Sequence, residues 1–479
     1  MKTIAVLLVL FGVTVVLQAQ ETLPAIDKKY LKNSVKVLSS DSLQGRGLGT
    51  AGLAKAAKFI ANEYQKMSLD HFDNDYLETF QLSRRYWDEV FVEINGQRFN
   101  NFEQIIFQGH QPQNTPVSKE IVFGGTGSEE ELDQLDVEGR LVLVFVKNLR
   151  AAGITVNKRL SKRKAYGVLL ANPDNDLQFS SIKRTSKNHA LAKRYSLLEK
   201  QQPKDIPARM QPDTPFIYSI SIPNDQVGHV MGHPVKELQK LTETNRITDV
   251  KPVLAKVQFK RVDDMVETSN VVGKLHGITD KTIVVSAHYD HLGLHHPSYY
   301  AGADDNASGV AAMLELARYF SSMKELRYNM VFMATSAEEK GLLGSEYHVN
   351  STLFDSATTL LNINLDMIGR IDEAHQNGKY LYFLGSGQSA RLDSLMTKAD
   401  LAYNQCEIDY SMEGFTGIFT RSDHYHFYKK GVPSVMFFSG LHEDYHKTTD
   451  TADKISFKTL EKRVTQIAVL MELLQRDGL

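Results

Sequence analysis

The sequence predicts an α/β protein in which a largely parallel, twisted sheet is flanked by helices and carries an inserted β-rich domain. From about residue 257 onward, short apolar runs rich in β-branched residues alternate with helical segments. Between about residues 108 and 245, strand-like runs and polar excursions replace this alternation. The chain has 479 residues, which is too long for one ordinary core and predicts two or three domains.

The first 19 residues have the layout of a secretory signal peptide. An early lysine precedes an apolar run from Ile4 to Leu17, and small or polar residues surround Ala19. This run of 14 residues is shorter than the roughly 20 that a spanning helix needs. We therefore expect export to the periplasm or the medium, with cleavage near Ala19 or Gln20 and no stable membrane insertion.

Composition excludes some functions. The formal net charge is −2 and charged residues make up 23% of the chain, so no extended basic surface for nucleic acid is implied. Cys406 is the single cysteine of the sequence, so an intramolecular disulfide cannot form. We interpret Cys406 as a part-buried small side chain and not as a nucleophile.

The domain boundaries follow from the change in sequence pattern. After the signal peptide (1–19), residues 20–107 and 246–479 are predicted to form one discontinuous domain. Residues 108–245 are predicted to form the inserted domain, since "EIVFGG", "GRLVLVFV" and "PFIYSISI" are typical of strands. The lysines and arginines of this insertion lack interleaved aromatic residues and indicate a solvated face.

The predicted sheet and its helices lie in the C-terminal part of the chain. The predicted strands are 282–287, 329–335, 361–367, 380–385 and 432–438. The predicted helices are 308–323, 389–402 and 456–475. In open sheets of this kind, functional sites lie outside the carboxyl ends of the strands.

Carboxylates and imidazoles follow these strands or open the adjoining helix. They are His288, Asp290, Asp304, Asp305, Glu338, Glu339 and Asp366. Singly, each could be a helix cap, a turn former or a solvated residue. Together, several anions at one edge would repel one another unless a cation neutralised them. Nitrogen and carboxylate ligands without a thiolate suit Zn²⁺ best.

The ligands outnumber the three protein groups that a single catalytic zinc takes. Two metals about 3.5–4 Å apart, sharing one carboxylate, would use five ligands, as aminopeptidases do. The adjacent Glu338 and Glu339 then suggest a division of roles, because one can bind metal while the other takes a proton from water.

A second zinc hypothesis comes from His442, Glu443 and His446, which spell HExxH. On a helix this motif is the signature of zincin metalloproteases, with the glutamate as general base. Here it follows a predicted strand through Ser439 and Gly440, and the residues after it have no apolar repeat. We therefore interpret the motif as accidental and expect Glu443 to face solvent.

Six motifs resemble the co-catalytic di-zinc aminopeptidase family, which includes secreted bacterial leucine aminopeptidases and aminopeptidase Y. They are "AHYDHLG", "GADDNASG", "AEEKGLLGS", "NLDMIG", "RSDHYHF" and "DYHKTTDTADKI". They occur in the family's order over about residues 265–479. The resemblance implies a zinc exopeptidase-like fold and a metallo-aminopeptidase that acts on peptides with a free N-terminus.

The resemblance also implies roles for individual residues. The implied ligands of two Zn²⁺ ions are His288, Asp305, Glu339, Asp366 and His446. Asp305 would bridge the ions, and His288 with Asp366 would complete one site while Glu339 with His446 completes the other. Further implied roles are Glu338 as general base, Asp290 as the carboxylate that orients His288, Tyr445 as a donor to the oxyanion, and Asp423 with Arg421 in or beside the substrate pocket.

The insertion is similar to a protease-associated domain, through "GRLVLVFVKN" and "KAYGVLLANPDN". Such domains gate access or hold partners.

Alternatives to an aminopeptidase remain open at this point. A glutaminyl cyclase of related fold binds one zinc, and a carboxypeptidase or dipeptidase would need a cation for the substrate carboxylate, for which Arg421 is the candidate. A receptor-like member would have lost its metal ligands, yet all five positions are competent here. The fragment "GSGQSA" after a predicted strand is better explained as a tight turn than as a dinucleotide site.

Overall fold

The computed structural model describes residues 23–72, 75–109, 111–149, 151–190, 193–198, 217–295, 297–414 and 416–479. The predicted signal peptide lies outside the described residues. Within them, no helix combines the length and the apolar character that crossing a membrane requires. The chain forms two compact units, one comprising residues up to Thr79 together with Ser269–Leu479, and the other Phe80–Thr268.

The helices of the described residues are α1 (Lys28–Leu38), α2 (Ala51–Lys66), α3 (Glu129–Leu132), α4 (Ala151–Lys162), α5 (Leu177–Ala190), α6 (Asn224–Met231), α7 (Val235–Glu243), α8 (Gly309–Ser321), α9 (Leu343–His348), α10 (Ala390–Ala402), α11 (Thr416–Phe419), α12 (His424–Lys429) and α13 (Phe457–Asp477). The strands are β1 (Leu77–Ile94), β2 (Gln97–Asn100), β3 (Ile106–Gln108), β4 (Gln113–Phe123), β5 (Leu141–Phe145), β6 (Gly167–Ala171), β7 (Arg194–Leu197), β8 (Tyr218–Ser221), β9 (Val253–Leu275), β10 (Thr282–His288), β11 (Leu294–His295), β12 (Ser298–Tyr299), β13 (Asn329–Thr335), β14 (Thr359–Leu365), β15 (Tyr380–Leu384), β16 (Glu407–Asp409) and β17 (Ser434–Phe438).

The first unit contains the predicted sheet, in the strand order β16-β15-β17-β14-β10-β13-β9. Strand β10 is parallel to both β13 and β14, and β14 is parallel to β17. Strands β15 and β9 pair antiparallel with β17 and β13. The prediction of a largely parallel sheet is confirmed. Every residue of β13 and β17 is buried, which explains why these strands appear in the sequence as continuous apolar runs.

Helix α8 packs against β10, β13 and β14 as well as against α1, α2 and α13. It is buried along most of its length, including Val310, Met313 and Leu314. Because the loop before α8 carries the predicted bridging aspartate, this burial fixes the loop relative to the strand ends.

The second unit contains parallel pairs β4–β5, β5–β6 and β6–β8, and antiparallel β3–β8. Its core includes stacked rings of Phe107 and Phe259, with centroids 4.4 Å apart. The unit extends beyond the predicted insertion at 108–245, because it takes in most of the long strands β1 and β9. It also holds helices α3 to α7, so it is less purely β-rich than the sequence pattern predicts. Its identity as a protease-associated domain stays a prediction.

Candidate metal centre

The predicted site residues lie where neighbouring strands end. His288 is the last residue of β10, and Asp366 follows β14 directly. Glu338 opens a 3₁₀ turn (Glu338–Lys340) three residues after β13. Since β10, β13 and β14 are parallel neighbours, these residues share one edge of the sheet.

Two buried residues hold the loop that carries Asp305. The Arg46 guanidinium donates hydrogen bonds to two backbone carbonyls. One is Tyr289 O, in the segment after β10, at 2.8 Å, and the other is Gly302 O, in the loop before Asp305, at 2.9 Å. The Asp450 carboxylate accepts from the backbone amides of Asp304 and Asp305, at 3.0 and 3.1 Å. The Asp305 side chain is thereby fixed against the strand ends. Neither Arg46 nor Asp450 was predicted as a site residue.

One group of ligand atoms surrounds the Oδ1 atom of Asp305, and we call it the inner position. His288 Nε2 lies 3.3 Å from Asp305 Oδ1 and 3.3 Å from Asp366 Oδ1. His288 and Asp366, the two residues grouped with Asp305 here, stand at the ends of the paired strands β10 and β14.

A second group surrounds the other oxygen of Asp305, and we call it the outer position. His446 Nε2 lies 3.2 Å from Asp305 Oδ2 and 3.4 Å from Glu339 Oε2. The two oxygens of Asp305 thus face the two groups, which is the arrangement expected of a bridging carboxylate.

The spacing of these atoms fits metal binding. In a tetrahedral zinc site with bonds of about 2.0–2.2 Å, two ligand atoms lie about 3.3–3.6 Å apart. Three of the four N–O distances, 3.3, 3.3 and 3.4 Å, lie within this range, and the fourth, 3.2 Å, lies just below it. They also exceed the usual 2.9–3.0 Å of an N–H···O hydrogen bond. Imidazole nitrogens and carboxylate oxygens are suitable zinc ligands, so the residues fit two such ions.

The electrostatics of the site also favour a cation. Burial would raise the pKa of Glu339, but hydrogen bonds from His291 and His446 lower it to about 2. Burial would lower the pKa of His446, but Asp305 and Glu339 raise it to about 10. The pKa of Asp305 is held well below its ordinary value by His291, His288 and His446, against the effect of burial. These carboxylates therefore stay ionised and attract positive charge.

Glu338 differs from its neighbour Glu339. Burial, reinforced by the charges of Glu339 and Asp366 and opposed by His288, raises the pKa of Glu338 well above its ordinary value. A carboxyl oxygen of Glu338 lies within 4.8 Å of the ligand atoms of His288 and Asp366. Adjacent glutamates with pKa values displaced in opposite directions suit one proton carrier and one metal ligand.

Asp290 occupies a different place from the one implied by the resemblance. Its carboxylate accepts from the backbone amides of Glu338 at 3.0 Å and Glu339 at 3.4 Å. His288 Nδ1 instead lies 3.2 Å from the backbone carbonyl oxygen of Asp290. Asp290 therefore fixes the turn that carries both glutamates, and its link to His288 runs through the backbone.

Ser422 is a site residue that the sequence did not reveal. Its hydroxyl donates to Asp366 Oδ2 at 2.7 Å and accepts from Asn364 Nδ2 at 2.7 Å. The neighbouring Asp423 is fully buried and accepts a hydrogen bond from Thr335. The "RSDHYHF" segment thus contacts the inner position through the hydrogen bond from Ser422 to Asp366. Arg421 is exposed.

The HExxH segment is not helical, because residues 439–446 form turns and irregular structure. Glu443 is exposed, as expected from the sequence. His442 turns inward instead, and its Nε2 lies 3.2 Å from Asp304 Oδ2 in a buried pair. His442 therefore connects the loop of the last ligand to the loop of Asp305.

Tyr445 stacks on the ring of His446, with centroids 3.8 Å apart. Burial and the nearby carboxylates, Asp305 first among them, raise the pKa of Tyr445, so its hydroxyl keeps its proton. It also borders an apolar cluster that includes Met367 and Phe438.

Three non-glycine residues at this edge adopt the left-handed conformation. They are Ala337 (φ 59°), Met367 (φ 52°) and His446 (φ 54°). Each is a predicted ligand or an immediate neighbour of Glu338 or Asp366. Such backbone strain is concentrated at functional sites, where surrounding contacts maintain it.

His291 is a further residue that the sequence did not single out. Its Nδ1 lies 2.8 Å from Glu339 Oε1 and 3.7 Å from Asp305 Oδ2, and its side chain is fully buried. The signal was present in "AHYDHLG", where it is the second histidine, but its contact with Glu339 could not be deduced from spacing.

Comparison with known proteins identifies similar chains. Residues 270–471 match the model of Peptidase family M28. Aminopeptidase YwaD of Bacillus subtilis is 31% identical over 209 residues, which cover 41% of this chain and 42% of that protein. BOS complex subunit NCLN of Canis lupus familiaris is 34% identical over 174 residues, covering 33% of this chain and 30% of that protein. The chain therefore spans less than half the length of these two relatives.

Among solved structures, a zinc aminopeptidase from Bacillus subtilis superposes with a TM-score of 0.52 at 20% identity, covering 93% of this chain and 94% of that chain. At this identity the likeness establishes the fold: a mixed α/β architecture with a large central sheet flanked by helices.

Proposed function

We propose that this chain, whose residues 270–471 match the model of Peptidase family M28, is an exported zinc-dependent aminopeptidase that removes N-terminal residues from peptides. The observation that carries the proposal is the placement of His288 and His446 on opposite oxygens of Asp305, at 3.3 and 3.2 Å. This arrangement supports two metal positions that share one carboxylate.

His288, Asp305 and Asp366 would hold one zinc ion, and Asp305, Glu339 and His446 would hold the other. Bound there, two zinc ions would lower the pKa of a bridging water and polarise the scissile carbonyl. The protein's own contribution is a set of ligands held rigid by strand ends and buried hydrogen bonds.

Glu338 is the proposed general base. It accepts a proton from the attacking water and delivers it to the leaving amine. Its raised pKa suits both steps, because the carboxyl can hold the proton between them. Asp290 keeps the Glu338 backbone in place through the amide hydrogen bond at 3.0 Å. The Tyr445 ring stacks on His446, and its hydroxyl, which stays protonated, would donate to the developing oxyanion.

The surplus of carboxylates favours an N-terminal substrate end over a C-terminal one. A free ammonium would be stabilised beside a centre rich in carboxylates, whereas a substrate carboxylate would be repelled. Arg421, the cation offered by the motifs for carboxypeptidase action, is exposed.

A matched relative is named as a subunit of a complex and not as an enzyme. A purely structural role for this chain is disfavoured because each of the five ligand positions carries a residue that can bind metal, and four of the ligand contacts have metal-like spacing.

The test is a panel of aminoacyl chromogenic amides, each with a free or an acetylated N-terminus, combined with zinc analysis of the purified protein. We expect two zinc ions per chain, hydrolysis of the free amides alone, and loss of activity with a chelator. Cyclisation of N-terminal glutamine with one zinc would indicate a glutaminyl cyclase. Release of C-terminal residues would indicate a carboxypeptidase.

Export through the signal peptide at residues 1–19 is part of the proposal, as is a protease-associated role for the inserted region 108–245. N-terminal sequencing of the exported protein should give a start near residue 20. Retention of the full N-terminus in the cell would contradict export.

A further inference from the structure

His291 contacts the outer position without belonging to the implied ligand set. Its Nδ1 lies 2.8 Å from Glu339 Oε1, whereas His446 lies 3.4 Å from the other carboxylate oxygen, Oε2. The Glu339 carboxylate is thus divided between two histidines, one on each oxygen. A distance of 2.8 Å is that of a charge-assisted hydrogen bond, in contrast to the longer ligand-type spacing of His446.

The two ring nitrogens of His291 distinguish a hydrogen-bond donor from a metal ligand. The Nε2 atom is buried and has no hydrogen-bond partner among the described residues. A histidine that binds metal through one nitrogen almost always donates its other N–H to an acceptor. If Nδ1 bound metal, Nε2 would carry an unpartnered proton in the interior, which is costly. The neutral tautomer with the proton on Nδ1 leaves Nε2 as a buried acceptor instead of a buried donor, and it allows Nδ1 to donate to Glu339 across the 2.8 Å contact.

The His291 ring is also held in place. Its backbone amide donates to the carbonyl of Arg46 at 3.1 Å. A Cβ atom on Gly302, whose φ is +56°, would approach His291 Cδ2 to 2.5 Å, so only glycine leaves room for the ring. The ring edge meets Tyr300 and His446 at centroid distances of 6.4 and 6.0 Å. A side chain packed this closely presents Nδ1 in one direction.

We propose that His291 is a positioning residue, which donates from Nδ1 to Glu339 Oε1 and so leaves Oε2 as the single oxygen available to the outer metal. The inference rests on the proposed two-metal site. It predicts that His291 contributes to the zinc affinity of the outer position. Removal of a hydrogen-bond partner of a metal ligand typically lowers metal affinity by about 10- to 100-fold. The zinc affinity of the inner position should not change when His291 is replaced, because Ser422 holds its ligand Asp366.

The experiment is a zinc titration of the metal-free protein against a competing chromogenic chelator, which resolves the two binding steps without measuring activity. His291→Leu should weaken one step by about 10- to 100-fold and leave the other unchanged. His291→Asn should restore most of the affinity, because its amide nitrogen occupies nearly the position of Nδ1. His291→Gln, whose amide lies further out, should behave like His291→Leu.

His276→Leu is the matched control, since this histidine is 61% exposed and pairs with Asp70 away from the site. It should bind both zinc ions like the wild type. If His291→Leu does not fold, the comparison of His291→Asn with His291→Gln decides the matter. Equal, wild-type affinity in both amide variants would overturn the inference. Equal loss in His291→Asn and His291→Gln would also overturn it and indicate a direct ligand. Failure of the wild-type protein to bind two zinc ions would instead contradict the proposed function.

Discussion

The two proposed metal positions, which share Asp305, are built from different parts of the molecule. The inner position uses His288 and Asp366, whose side chains are 2% and 11% exposed and stand at the ends of paired strands. The outer position uses Glu339 and His446, whose side chains are 6% and 36% exposed and stand in a turn and an irregular loop. The sheet therefore fixes the inner position, whereas loop contacts fix the outer one.

This difference indicates that the two positions have different roles. A buried position with rigid ligands retains its metal, while a more open position is accessible to solvent and to substrate. Glu338 and Tyr445 approach the centre from these two sides, since Glu338 lies near His288 and Asp366 while Tyr445 stacks on His446. Variants near the inner and the outer position should therefore distinguish a loss of catalytic rate from a loss of bound zinc.

The largest effect is expected for Glu338→Gln. The change removes the proton acceptor but keeps the shape of the side chain, so kcat should fall by about 10²- to 10⁴-fold. Zinc content should stay at two per chain, because Glu338 is not an assigned ligand. Steady-state kinetics on aminoacyl amides, with metal analysis of the same sample, measures both.

The matched control is Glu443→Gln, in the exposed glutamate of the HExxH sequence. It should leave kcat unchanged, because Glu443 faces solvent. A large loss for Glu443→Gln together with survival of activity in Glu338→Gln would restore the zincin interpretation and contradict the assignment of the base.

The next effect is expected for Tyr445→Phe, on the outer side. Removal of one oxyanion donor costs about 10²- to 10³-fold in kcat. KM and zinc content should change little, because the stacked ring remains beside His446. A variant that kept its kcat but lost zinc would show that Tyr445 supports the His446 loop and takes no part in the chemistry.

A smaller effect is expected for Ser422→Ala, on the inner side. The variant removes the 2.7 Å hydrogen bond to Asp366, so the affinity of one zinc should fall by about 10- to 100-fold. Competition with a chelator measures this change. Combined with His291→Leu, the two losses should fall on different binding steps. Loss on the same step in both variants would contradict the division into two independently supported positions.

The sequence predicted the inner side better than the outer one for a physical reason. Buried strands are recognisable as apolar runs, so the residues that follow them, such as His288 and Asp366, could be placed at one edge from the pattern alone. His446 follows no regular element, and its role could be inferred only through family resemblance. The choice between Asp304 and Asp305 was equally hidden, because it depends on which carboxylate the loop turns toward the strand ends.

Some residues that act through other side chains were not predicted from the sequence. Ser422 and His291 each bond to a ligand that is distant along the chain, separated from it by 56 and 48 residues. Both lie in recognisable motifs, "RSDHYHF" and "AHYDHLG", but spacing along the sequence does not reveal which side chain each of them contacts. Their roles become visible only when burial and hydrogen-bond partners are known.

The smallest effect expected is kinetic and concerns the order of metal loss. During exposure to a chelator, one zinc should leave before the other, because His446 is 36% exposed and His288 is 2% exposed. His442→Leu should accelerate the first loss, since it breaks the 3.2 Å contact with Asp304 that ties the His446 loop to the bridging aspartate, yet removes no ligand. The second loss should keep its wild-type rate, because the strand-end ligands are untouched. Stopped-flow release into a metal indicator resolves the two phases, and equal acceleration of both would show that the loop and the strand ends hold the centre as one unit.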